Sequence, residues 1–223
     1  MTKAPQRSPL PRILPVNRAL IAINVVVFVV QEWLGRPYSS LITVLFALWP
    51  PQAAQFNLEF HWWQVLTYGF LHGNWLHLSA NMFGLLMFGS YIERWLGSRR
   101  FLVYYLLCVV GAALMHMYVV SAMGLPPSQM VGASGGIFGV LLAFGMAFPK
   151  RKLLLMFPPV ILPAWLLVTL YGIFELVMGV TQTASGVAHF AHLGGMATGF
   201  IIIRCWRAQR RALRLTRRTQ MKK

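Results

Sequence analysis

No aspartate occurs in this 223-residue chain, and the only acids are Glu32, Glu59, Glu93 and Glu175. That absence excludes a Ser-His-Asp triad, so serine-hydrolase chemistry here has to run as a dyad or recruit another orienting group. Charged residues of either sign are also scarce, at 11% against about a quarter in soluble domains. Hydrophobic residues reach 57% and the mean hydropathy is +0.61, which marks a membrane protein. Cysteine is limited to Cys108 and Cys205, both in or at the end of apolar runs, with neither a metal-ligand spacing nor a disulfide framework. The first apolar run, from Ala19, ends at Glu32-Trp33-Leu34 without a small-residue cleavage pattern, so a removable signal is not expected. Internal repeats are not apparent.

What the chain does have is basic charge, a formal +16, and its distribution matters more than its sum. Lys3, Arg7, Arg12 and Arg18 precede the first apolar run. Further clusters lie at Arg94 to Arg100, at Lys150-Arg151-Lys152 and from Arg204 onward. Arg36 stands apart from these, leaving nineteen of the twenty basic residues in loops expected on one side. Such alternation is the positive-inside pattern of a multi-pass protein, with attraction to anionic lipid head groups, and it speaks against nucleic acid as the partner.

At about 20 residues per span, six apolar segments are expected: 19–34, 76–96, 101–123, 132–148, 153–180 and 187–203. The fold class is therefore an all-α six-helix membrane bundle. A basic cytoplasmic segment, 1–18, and a basic cytoplasmic tail, 204–223, flank a core at 19–203. Residues 35–75 carry Pro37, Pro50, Pro51, His61, Trp62 and Trp63. They are too interrupted to span and are expected as short interfacial helices embedded in the outer leaflet. Pro158, Pro159 and Pro163 are expected to bend or shorten the fifth span.

Polar groups inside spans are costly and point to function. Ser134 lies in Val131-Gly-Ala-Ser-Gly-Gly-Ile-Phe-Gly139, where a polar loop gives way to an apolar run. Unpaired N–H groups at that helix start can hold a developing negative oxygen. Small residues also let membrane helices pack closely, which is the bland alternative. His77 and Asn81 are four apart on one face of the second span; His189 and His192 open the sixth, with Gly195 and Gly199 on the stripe of His192. Ser134, His192, His77 and Asn81 would thus meet from three spans at one depth, near the outer face.

Taken together, these motifs resemble the rhomboid intramembrane serine proteases. The resemblance covers Trp63-Gln64, His72, His77-Leu-Ser-Ala-Asn81, Glu93 with Gly97-Ser98, Gly132-Ala-Ser134-Gly135 and Ala191-His192-Leu-Gly-Gly195-Met-Ala-Thr-Gly199. It implies that Ser134 is the nucleophile and His192 the general base, with Asn81, His77 and the Ser134 N–H around the oxyanion. It implies too that the His192 imidazole packs on Phe138, that Gly132, Gly135, Gly195 and Gly199 shape the site, and that His189 supports it. The substrates implied are transmembrane segments cut near their outer ends, without metal or other cofactor. Gln64 departs from members that carry Arg there, and Trp95 from those with a basic residue.

Other classes remain to be weighed. Gly132 to Gly136 satisfies Gly-x-Ser-x-Gly, but that motif needs a strand and a soluble sheet. A catalytically silent escort for membrane proteins would be marked by loss of Ser or His, and both are present. A channel would continue its polar residues across the bilayer. Glu175 could pair across the fifth span, the family's lateral gate, or reach outer head groups. The compactness of the chain suggests a bacterial cytoplasmic membrane, with both termini cytoplasmic.

Overall fold

The computed structural model describes residues 13–155, 159–181 and 189–220. Among the described residues, helical segments overlap each of the expected apolar stretches. Helix α1 is Pro15–Phe46. Helix α2 runs through Trp75–Gly84, a π-helical segment Leu85–Gly89, and Ser90–Leu96. Helices α3 (Ser98–Ala122), α4 (Ser134–Ala147), α5 (Ala164–Thr181) and α6 (His189–Gln220) follow. Among the described residues, three stretches are long and apolar enough to cross a membrane: Pro15–Leu34, Ser98–Ala122 and Ala164–Thr181.

Three boundaries differ most from the sequence reading, one of them the end of α6, which continues to Gln220 and so takes in most of the expected tail. Helix α1 does not stop at Leu34 but continues to Phe46, because the apolar stretch after Pro37 is long enough to carry the helix past the single hydrogen bond that proline removes. The fifth span, expected from Leu153, starts only at Ala164. Its expected first turns are an antiparallel hairpin, Lys152–Leu155 paired with Val160–Pro163. Proline disfavours helical backbone in the residue before it, so Pro163 separates strand from helix. Pro158, also expected to shape this span, lies outside the described residues, as do positions 1–12 of the N-terminal segment and the start of the sixth expected span.

Helix α3 is the central post. Tyr104, Tyr105, Cys108, Ala112 and Ala113 on it are wholly buried, and its alanines and Gly111 leave room for α4 and α6 to lie close. Helices α4 and α6 meet backbone to backbone, so that a Cβ on Gly195 would strike the carbonyl oxygen of Gly135. Tyr hydroxyls satisfy carbonyls inside this packing: Tyr104 donates to Gly139 O at 2.7 Å and Tyr68 to Val109 O at 2.7 Å.

Among the described residues, Arg100, Arg151 and Arg207 from three of the basic clusters pack on neighbouring parts of the bundle. Arg151 donates to the Tyr91 hydroxyl at 2.8 Å, Arg207 to Met146 O at 3.2 Å, and the Arg100 guanidinium lies over Trp206. The buried Glu93 carboxylate accepts from the N–H groups of Val16 and Asn17, at 3.1 and 2.8 Å, and from Ser98 Oγ at 2.7 Å. It thereby caps the start of α1, where a negative charge also suits the helix dipole. The Asn17 amide in turn donates to Leu85 O at 2.9 Å, at the start of the π segment, and to Ser90 Oγ at 3.1 Å. Glu93→Ala leaves a buried amide donor at Asn17, a partly buried one at Val16 and a serine without their acceptor. It should lower stability by about 3 kcal/mol, measured as a drop in the unfolding midpoint in detergent; an unchanged midpoint would show that α1 does not depend on this cap.

The connection between α1 and α2 is folded and anchored. It contains short helical turns at Pro51–Phe56, Gln64–Thr67 and Tyr68–Phe70. Gln64, which stands where some members of the family carry Arg, is the loop's buried hub: its amide donates to the carbonyls of Val44, Leu45 and Glu59 and its oxygen accepts from Trp49 N. Gln31 of α1 binds the His72 backbone in both directions. Burial first, and then neighbouring His77, push the His72 imidazole down to about 4, so this ring stays neutral and serves packing. Leu48 pairs with Met130 through two backbone hydrogen bonds, and Gly132 N donates to Tyr68 O at 3.0 Å. The loop therefore holds the segment that leads into Ser134.

Candidate active site

Ser134 is the first residue of α4, after an N-cap, Ala133, whose side chain accepts nothing. The first-turn N–H groups are therefore not consumed by a side-chain cap. The half-buried Ser134 Oγ lies 2.8 Å from Nε2 of the buried His192, 58 residues away in sequence. Phe138, one turn further along α4, stacks on the His192 ring with centroids 4.2 Å apart and planes 6° from parallel. One helix thus supplies both the hydroxyl and the apolar plate that orients the imidazole opposite it.

Gly132 stands at φ +120°, a conformation side chains rarely adopt, and the space a Cβ would take is occupied. Such a Cβ would lie 2.6 Å from His77 Nε2 and 3.6 Å from Asn81 Nδ2. His77 and Asn81, one turn apart on α2, therefore flank the backbone two residues before Ser134. Asn81 is buried, and its Nδ2 has no hydrogen-bond partner among the described residues. Gly135 lies against Ala112 and the Tyr68 hydroxyl, Gly199 against the Tyr104 hydroxyl. All four glycines picked out from the sequence sit where another helix or side chain leaves no room for a larger residue.

The sequence left Glu175 open between pairing across the fifth span and reaching outer head groups, and in the structure it pairs from α5 to two histidines of α6. It is buried at 4% exposure on α5, and its Oε2 lies 2.8 Å from His192 Nδ1 and 2.7 Å from His189 Nδ1. His189, expected as a supporting residue, shares this carboxylate, with its ring perpendicular to that of His192. One ligand atom from each of the three lies within 4.8 Å of the others, the donor types that a divalent transition metal accepts. Here their short contacts are to one another. The sequence signal was that Glu175 is the one acid after residue 93 and lies in an apolar run, where a charge calls for a partner. Its two partners could not be read because they are 14 and 17 residues away on another helix.

A bundle of apolar helices that holds a serine hydroxyl against an imidazole is a membrane protein carrying the elements of a serine hydrolase. The chain belongs to the rhomboid family: the family model of the rhomboid domain matches residues 59–209. Rhomboid-like protein 11, chloroplastic, of Arabidopsis thaliana is 33% identical over 159 residues, 64% of this chain and 51% of the relative. Rhomboid protease AarA of Providencia stuartii is 27% identical over 82% of this chain and 69% of the relative. Rhomboid protease GluP of Bacillus subtilis is 27% identical over 81% of this chain, which spans 32% of that protein's length. The chain thus spans about half, or less, of the length of several of the curated relatives it matches.

Proposed function

We propose that this chain is an intramembrane serine endopeptidase that cleaves transmembrane segments of other proteins near the outer face of the bilayer. The observation that carries this reading is the 2.8 Å approach of Ser134 Oγ to His192 Nε2, on a ring held by Phe138. In the reaction, His192 takes the proton from Ser134 as Oγ attacks the substrate carbonyl carbon, then returns it to the leaving amine. The tetrahedral oxyanion is met by the N–H of Ser134 and by Asn81, whose amide, unpartnered among the described residues, is a ready donor, with His77 beside it. Water repeats the sequence on the acyl-enzyme and frees the serine. Neither metal nor other cofactor has a step in this scheme.

The substrate class follows from where such a site lies. A serine served by helices that cross or enter a bilayer meets peptide bonds of membrane segments, which must unwind there to expose a carbonyl. We place residues 19–203 in the six-span catalytic core, with 1–18 and 204–223 as basic flanks on the cytoplasmic side. That orientation rests on the positive-inside distribution, and a bacterial cytoplasmic membrane agrees with the broad matches to GluP and AarA.

A fluorophosphonate probe applied to the detergent-solubilised protein tests the reading. Peptide mass spectrometry should find the label on Ser134, and His192→Ala should slow labelling at least ~10³-fold, as loss of a dyad base does. A folded wild-type protein that stays unlabelled at Ser134 under several such probes would overturn it.

A further inference from the structure

Glu175 has a geometry that a Ser-His pair does not require. An ionisable side chain in an apolar helix is expensive, and this one is buried with both short contacts converging on a single oxygen. That oxygen can donate at most one proton, so at least one imidazole must present an N–H to it; an ionised carboxylate accepts from both. With Nδ1–H of His192 directed at Oε2, Nε2 of the same ring is the free acceptor, and Nε2 is the nitrogen 2.8 Å from Ser134 Oγ. His189 Nδ1 lies 2.7 Å from the same oxygen, with its ring perpendicular to that of His192, and an N–H on it would be a second donor to the carboxylate.

Resting on the protease reading above, we propose that Glu175 is a positioning residue that completes a Ser134–His192–Glu175 relay, with His189 as the second donor that holds the carboxylate. The proton account closes without protonating Glu175. As the Oγ–C bond forms, the Ser134 proton passes to His192 Nε2, and the imidazolium keeps its Nδ1–H against Oε2. The Nε2 proton then goes to the leaving amine as the C–N bond breaks. Water later gives a proton to Nε2 as its oxygen bonds to the acyl carbon, and Ser134 recovers that proton when the ester bond breaks. Glu175 holds the ring in the productive tautomer and stabilises the positive charge that comes and goes on it. Because the carboxylate is carried by α5 and the imidazole by α6, the relay is assembled only while these two helices are packed together.

The test uses the full chain in detergent and in liposomes, with a transmembrane substrate and a fluorophosphonate probe. Glu175→Gln, nearly isosteric but able to donate to Nδ1, should lower kcat by ~10²–10⁴-fold with KM within about twofold of wild type, as an orienting carboxylate does. Glu175→Asp, which keeps the charge, should recover at least ~10-fold over Glu175→Gln. In a His192→Ala background Glu175→Gln should cost nothing more, since its effect runs through that ring. Imidazole ¹⁵N NMR should find His192 protonated at Nδ1 in wild type and altered in Glu175→Gln. Wild-type kcat in Glu175→Gln would overturn the proposal, as would a loss that adds fully to that of His192→Ala. If Glu175→Gln fails to fold, Glu175→Asp decides, and an unproductive tautomer or activity at the His192→Ala level there refutes the relay. If wild type neither labels nor cleaves, it is the protease reading that fails, and the NMR tautomer still decides whether Glu175 orients His192.

Discussion

Ser134→Ala should abolish cleavage of a reconstituted transmembrane substrate, with product formation falling at least ~10⁴-fold, to background, as loss of a catalytic serine does. The fold should survive. The substitution removes one half-buried oxygen from the first residue of α4, and a single hydrogen bond of this kind contributes about 1 kcal/mol. The unfolding midpoint should therefore stay close to wild type while activity disappears. Two readings of Ser134 are separated by this result. Were the residue there only to let helices pack, alanine would serve as well and cleavage would persist. Retained cleavage would put the nucleophile elsewhere in the chain.

Gly195→Ala should lose about 10²-fold in kcat/KM and roughly 2 kcal/mol of stability, for a reason that has nothing to do with chemistry at position 195. The added Cβ meets the carbonyl oxygen of Gly135, and the Gly135 carbonyl carbon is 2.9 Å away. These are backbone atoms, which cannot rotate aside, so α4 and α6 must separate. Gly135 follows Ser134 and Gly195 lies about one turn after His192, so separation acts directly on the 2.8 Å contact between Oγ and Nε2. A displacement of about 1 Å suffices to break a hydrogen bond of that length. Gly73→Ala provides the comparison, because none of the described residues lies within 4 Å of the Cβ it would add and its φ is not positive. It should leave activity and midpoint unchanged. Full activity in Gly195→Ala would mean that the helices do not approach as closely as described.

The close approach of α4 and α6 also explains why so much of the candidate site could be read from residues alone. Small residues next to Ser134 and on the stripe of His192 are a local signal, and they specify both which faces meet and how near. Apolar length located the helices for the same reason: each span is a property of its own residues. The failures came where a boundary depends on competing local effects. Pro37 did not end α1, whereas Pro163 did delimit α5, and composition alone does not rank those two outcomes. Gln64 was underestimated because the carbonyls it satisfies at Val44, Leu45 and Glu59 lie in segments that only the folded loop brings around it.

What the sequence determined by itself is the class of molecule, the helical segments at the heart of the bundle, the side on which basic charge collects, and the candidacy of Ser134, His192, Phe138, Asn81 and His77. These follow from hydropathy, spacing and the cost of polar groups in lipid, all of which act on neighbouring residues. The partner of the imidazole was decided by tertiary structure alone. A chain without aspartate left a dyad or some other orienting group, and packing of α5 against α6 brings the Glu175 carboxylate to within 2.8 Å of His192. Hydrogen bonds act over about 3 Å, while helices place residues far apart in sequence at that distance only through their packing.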